Sequence, residues 1–179
     1  METILSVEHL MISFSQYERG WRKIQLPVIR DLSINIKGHE IVAVVGSSGS
    51  GKSLLAHAVM GLLPANASWK GRIAFKGEGR PGKRWGEQVR RGHKDGISRA
   101  RSREVLGRYG LGEDTEELYP FQLSGGMTRR VLISTAVMEK PELVIADEPT
   151  PGLHISAAKR VLSHFREIAD GGAGVLLIT

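Results

Sequence analysis

The chain has 179 residues, with 25 Lys and Arg against 19 Asp and Glu, a formal charge of +6, and 41% hydrophobic residues, which is the composition of one folded domain. It contains no cysteine, so disulfide frameworks, thiolate zinc sites and cysteine nucleophiles are excluded. No basic residue precedes Arg19, so the amino end lacks the signature of a secretory signal, and the largely apolar stretch Leu54 to Leu63 falls short of the roughly 20 residues that span a bilayer.

The first element read from the pattern is a strand. Leu32, Ile34 and Ile36 alternate with polar residues and run into the turn Lys37-Gly38. Ile41 to Val45 is a continuous apolar, β-branched run, which predicts a strand buried on both faces of a parallel sheet. Ser53 to Met60 reads as a helix stopped by Gly61 and Pro64, so strand, glycine-rich loop and helix open a βαβ unit.

The next stretch carries the charge. Between Arg80 and Arg108 stand ten Lys or Arg and three acids, so the rest of the chain sums to about −1. Glycines and cations over 77–96 make this the stretch with least regular structure, a solvated loop leading into a helix. The alternation of cations and rings that grips single-stranded nucleic acid is missing, since no ring follows Trp85 before Tyr109. Beyond it, Met127 to Met138 is helical and ends by Pro141, and Leu143 to Ala146 is a second buried strand. Ile155, Ala158, Leu162, Phe165 and Ala169 keep helical spacing up to the cap Gly171-Gly172, and Val175 to Ile178 begins a third buried strand. Alternating helices and apolar strands make this an α/β fold around a parallel sheet.

Three motifs carry chemistry. Gly46, Ser47, Ser48, Gly49, Ser50, Gly51, Lys52 and Ser53 fit the phosphate-binding loop: glycines turn the backbone N–H groups inward, the following helix offers its positive end, Lys52 adds a charge for the outer phosphates and the Ser53 hydroxyl can ligand Mg²⁺. Downstream, Asp147 and Glu148 end an apolar run. In a nucleotide hydrolase Asp147 would orient the metal and Glu148 would polarise the attacking water. Leu123-Ser124-Gly125-Gly126-Met127 opens the helix that carries Arg129 and Arg130, with Ser124 as N-cap and the glycines at its positive end.

Taken in chain order, the phosphate loop, Leu123–Met127 and Asp147-Glu148 resemble the motifs of the nucleotide-binding subunits of ABC transporters, over most of the chain. The resemblance implies a P-loop NTPase fold with a parallel core sheet, an N-terminal antiparallel β portion and a reduced helical subdomain. It implies ATP and Mg²⁺ as cofactors, with Ser124, Gly125 and Gly126 reaching the γ-phosphate held by a second ATP-binding subunit in a sandwich dimer. Phe14 matches the adenine-stacking aromatic, with Tyr17 as the other choice and a core role open. The implied partners are transmembrane permease subunits and, indirectly, an extracytoplasmic solute-binding protein, placing the chain peripherally at the cytoplasmic face of the membrane. Nucleic acid is not expected as a partner. The wording from Tyr119 to Met127 looks most like importers for oligopeptides, dipeptides, nickel or metal-chelator complexes.

Departures from the family pattern are as informative. Only 72 positions separate Lys52 from Ser124, no glutamine-bearing loop is recognisable after Phe75, and Gln88 lies too close to the basic segment to fill that role. His154 stands where the family has an aspartate, and the chain stops at Thr179, one residue short of the switch histidine. The expectation is one ABC-type nucleotide-binding domain over 1–179, incomplete at its C-terminal end, with 77–108 a mobile basic connection in place of part of the helical subdomain. It would bind nucleotide and turn it over slowly. The rivals are a truncated domain without turnover and an ABC-type ATPase acting on nucleic acid. His9, His39, His57, His93 and His164 show no ligand spacing, so no metal site is expected from them, and Trp21 and Trp69 read as packing residues.

Overall fold

A computed structural model of the chain describes residues 2–17, 22–79 and 99–179. Two long strands, β1 (Thr3–Tyr17) and β2 (Lys23–Lys37), pair antiparallel, and β4 (Ala67–Phe75) joins the other side of β1, followed by the short β5 (Glu78–Gly79), giving the order β2-β1-β4-β5. Between them in sequence come β3 (Ile41–Val44) and helix α1 (Lys52–Val59). The second half supplies α2 (Arg99–Arg108), α3 (Gly125–Val137), β6 (Leu143–Asp147), α4 (Ile155–Asp170) and β7 (Gly174–Ile178). The second sheet is parallel, with β7 between β3 and β6. The parallel core sheet is the arrangement the residue pattern predicts, and the antiparallel N-terminal sheet is the one the family resemblance implies.

Burial divides the molecule into layers. Leu176 and Ile178 of β7 join Leu55 and Val59 of α1 and the β1 residues Leu5, Leu10 and Ile12 in one core, so α1 sits between the two sheets. Val175 points the other way, into a second core with Val144 and Ala146 of β6, Val161, Phe165 and Ala169 of α4, and Val105 and Tyr109 of α2. The alternation along β7 thus fills both faces of the parallel sheet.

Two expectations need comment. Ile41 to Val45 is not buried on both faces: β3 is an edge strand among the described residues, Ala43 is exposed and Val45 is 76% exposed. Its β-branched composition signals a strand but not its place in the sheet, and β7 takes the central position instead. Of the basic stretch, Arg99–Arg108 is helix α2, while 80–98, including Gln88 and His93, lie outside the described residues, as does Trp21. Trp69 packs half-buried against the first core.

The long β1 strand bends where it passes β4. His9 has φ +49, the register shifts between Glu8 and Met11, and a Cβ on Gly71 (φ +109) would fall 2.5 Å from the His9 carbonyl oxygen. Only glycine lets β4 approach the bulge so closely. The ring of His9 is meanwhile paired with Asp31 at 3.1 Å.

Candidate functional site

Parallel register sets the site. Val44 of β3 pairs with Ile178 of β7, and Ile178 with Asp147 of β6, so the phosphate-loop motif and the Asp147-Glu148 pair leave the same carboxyl end of the sheet, with one strand between them. Strand spacing makes that separation about 10 Å. Backbone bonds extend the alignment beyond the strands: the Gly46 N–H donates to the Thr179 carbonyl (3.3 Å), the Thr179 N–H to Val44 (3.0 Å) and the Glu148 N–H to Ile178 (2.9 Å). Crevices at the carboxyl ends of parallel strands are where such folds place their ligands.

From Gly46 the chain turns through Ser47, Ser48, Gly49 and Ser50 to Gly51, with left-handed backbone at Gly49 (φ +78) and Gly51 (φ +89). Gly51 is the N-cap of α1 and gives it no side-chain cap. The Leu54 N–H donates to the Gly51 carbonyl (3.0 Å), whereas those of Lys52 and Ser53, at the first two helical positions, have no intrahelical acceptor, which suits an anion. The Lys52 ammonium folds back under the loop and donates to the carbonyls of Gly46 (2.7 Å) and Ser47 (2.8 Å). The loop is thus closed on its own lysine through two carbonyl acceptors.

Asp147 and Glu148 are both exposed at the end of β6. Glu148 has φ +46, an uncommon conformation for a residue with a side chain, held by its N–H bond to Ile178. A cavity of about 380 Å³ lies beside them, walled by apolar residues of α3 and by Arg129. Arg129 was not singled out as functional by its sequence context. Its guanidinium donates to the carbonyls of Pro149 and Pro151 (2.7 Å for the latter), tying α3 to the loop that follows Glu148. The partners are backbone groups about 20 residues away, so no local pattern signals the contact.

Ser124 is the N-cap of α3, its Oγ accepting from the Met127 N–H at 3.2 Å. Side chains built on Gly125 or Gly126 would meet nothing within 4 Å, so packing inside the chain does not require glycine at either place. Just upstream, Tyr119 and Phe121 stack on one another in solvent, with ring centroids 5.6 Å apart. These motif residues belong to α3 and the turn before it, not to the carboxyl end of the sheet that carries Lys52 and Glu148. Phe14 lies at the far end of β1, half-buried against the first core, and Tyr17 is 66% exposed. His154 caps α4, its Nδ1 3.1 Å from Ser156 Oγ and facing the Ser156 N–H, a duty an aspartate performs at other helix starts.

A parallel sheet whose first strand runs through a glycine loop into a helix, with a carboxylate pair two strands across, defines a P-loop NTPase fold. Residues 29–151 match the ABC transporter family, and the chain belongs to it. It is 32% identical to the dipeptide transport ATP-binding protein DppD of Bacillus subtilis, over all of this chain and 64% of that protein. It is 33% identical to the macrolide export ATP-binding/permease protein MacB of Shigella flexneri, over 87% of this chain and 28% of that protein. The chain thus spans less than two thirds of either relative. The alignment with DppD runs over 219 positions against 179 residues here, so DppD carries residues with no counterpart in this chain. A solved ATP-binding subunit of an ABC transporter superposes with a TM-score of 0.68 at 25% identity, covering 98% of this chain and 79% of that one. An ATP-binding cassette solved as a dimer with ADP and Pi gives a TM-score of 0.78 at 22% identity, over 98% and 88% of the two chains, a likeness of fold.

Proposed function

We propose that this chain is the ATP-binding and ATP-hydrolysing domain that drives a membrane transporter. One observation carries the reading: an uncapped α1 terminus and a lysine-closed loop stand at the same carboxyl end of the sheet as Asp147 and Glu148. The donor set fits Mg-ATP. Lys52 and the loop from Gly46 to Ser53 hold the phosphates, and Ser53 and Asp147 offer hard oxygen ligands to Mg²⁺, which when bound neutralises phosphate charge. Glu148 positions and deprotonates water, and Phe14 gives a ring to the base. The open space around Gly125 and Gly126 supports a role for Ser124–Gly126 toward nucleotide on a second copy, in a sandwich dimer.

The Tyr119–Met127 wording and the similarity to DppD favour an importer of peptides, nickel or metal chelates, while the similarity to MacB is to an export protein. Permease subunits and a peripheral place at the cytoplasmic membrane face belong to this reading. No helix among the described residues is long and apolar enough to cross a membrane.

Calorimetry with Mg-ADP and Mg-ATP tests the site. Lys52→Ala should abolish measurable affinity, and equal affinity in the two proteins would refute the assignment. Phosphate release should be slow, because His154 replaces an acid in the loop and positioning groups supply most of the rate in this chemistry. Glu148→Gln should remove what turnover there is while leaving binding in place. Rapid release that Glu148→Gln abolishes would show a fully equipped enzyme.

A further inference from the structure

A second, differently built cavity of about 480 Å³ lies between the end of α2, the first turns of α3 and the face of α4. Arg108, Arg129, Arg130, Arg160 and His164 line it, and among the described residues no Asp or Glu does. Their charges are unevenly matched. Arg108 is paired with Glu104 at 3.3 Å. Arg129 donates to the Pro149 and Pro151 carbonyls and Arg130 to those of Gly110 (2.8 Å), Tyr109 and Gly126. A carbonyl satisfies a guanidinium donor but leaves its full charge uncancelled.

On α4, Arg160 and His164 are one turn apart and so share a face. The Arg160 guanidinium has no acceptor among the described residues. His164 meets the Tyr109 ring edge-on, with centroids 4.6 Å apart. Its Nδ1 is buried with no hydrogen-bond partner, and Glu167 approaches it only to 3.7 Å. Apolar walls come from Leu153, Ala157 and Val161. Three uncancelled guanidinium charges over an apolar floor therefore line one space.

We propose that this cavity binds a small organic polyanion, a compact body bearing two or more phosphate or carboxylate groups. It is too small for a nucleic-acid strand to run through, and it is separate from the phosphate loop. The helix after that loop packs in the core on one face of β7, whereas Val161 of α4 packs on the other. The proposal does not depend on the nucleotide reading.

The test uses the Lys52→Ala chain, so that anions held by the phosphate loop are not counted. Inorganic pyrophosphate and citrate are titrated by calorimetry at low and at raised salt. Saturable binding is expected, weakened by salt and at least about tenfold weaker after Arg160→Gln, because that side chain has donors free for the ligand. Circular dichroism confirms the fold of each variant. Tighter pyrophosphate binding identifies a phosphorylated ligand, and tighter citrate binding a polycarboxylate. The site is refuted if neither anion saturates, or if Arg160→Gln binds as well as its parent. Mg-ADP affinity of the Arg160→Gln chain with Lys52 intact reports on the phosphate loop alone, so the two assignments can fail independently.

Discussion

Gly51 and Gly49 both stand in left-handed backbone, yet the structure gives them different reasons to be glycine. A Cβ on Gly51 would lie 2.7 Å from Val28 Cγ1 and 3.6 Å from Ile29 Cγ1, in the wall where the loop meets β2, whereas a Cβ on Gly49 would meet nothing within 4 Å. Gly49→Ala therefore carries only the backbone penalty, about 1 kcal/mol. Gly51→Ala adds overpacking against a stiff β-branched side chain in a strand, about 2 kcal/mol more. For a chain of this size the two changes should lower Tm by roughly 3 °C and 9 °C. Urea denaturation with unchanged m gives the free energies directly. Val28→Ala in the Gly51→Ala background should recover most of the difference, since it removes the colliding methyl. Equal losses at the two glycines, or no rescue by Val28→Ala, would refute the account of how the loop is seated.

The strained Glu148 gives a second test: Glu148→Gly should be more stable than Glu148→Gln by about 1 kcal/mol, because the left-handed conformation costs glycine little, and a Gly variant no more stable than the Gln one would remove the case for strain. Ser124→Ala should cost about 1 kcal/mol by leaving the Met127 N–H without its cap, read by chemical denaturation. The Arg101 guanidinium, bonded to Glu104 at 2.8 Å and reinforced by Arg108, holds the Glu104 carboxyl below the ordinary carboxylate range. Its contribution to stability is thus complete at neutral pH and lost as pH falls through the lowered value. The Tm gap between wild type and Glu104→Gln should close on acidification, and a gap that widened would contradict the sign.

What the sequence made legible was whatever depends on neighbours in the chain. The glycine loop, the acidic end of β6 and the Ser124 cap are local patterns, and helical spacing in 155–169 marked α4 to within a residue, whereas alternation in 32–36 marked only the last part of β2, which starts at Lys23. Position within the sheet was not legible: Ile41–Val44 and Gly174–Ile178 are both apolar and β-branched, and only the pairing of distant strands decides that the second is central. Nor could the surroundings of Arg129, Arg160 or His164 be read, because each lines a space formed by the packing of α2, α3 and α4. His154 shows the intermediate case, where a departure from the family wording is visible but its capping role requires the helix start to be seen.

The state of Lys52 bears on how ligand affinity arises at the loop. Its ammonium already has two carbonyl acceptors, at 2.7 and 2.8 Å, so it does not wait unpaired for a phosphate. A lysine so held is placed in advance, and little side-chain entropy remains to be lost on binding. The carbonyls are dipoles, whereas a phosphate oxygen carries charge. A phosphate entering the loop can take the third ammonium donor and cancel the charge while both carbonyl bonds persist. Lys52→Arg would keep the charge but place a planar fork where a compact ammonium fits between two carbonyls of one turn. The loss of affinity in that variant should therefore approach that of Lys52→Ala, and near-native affinity would show that charge alone, without this seating, suffices.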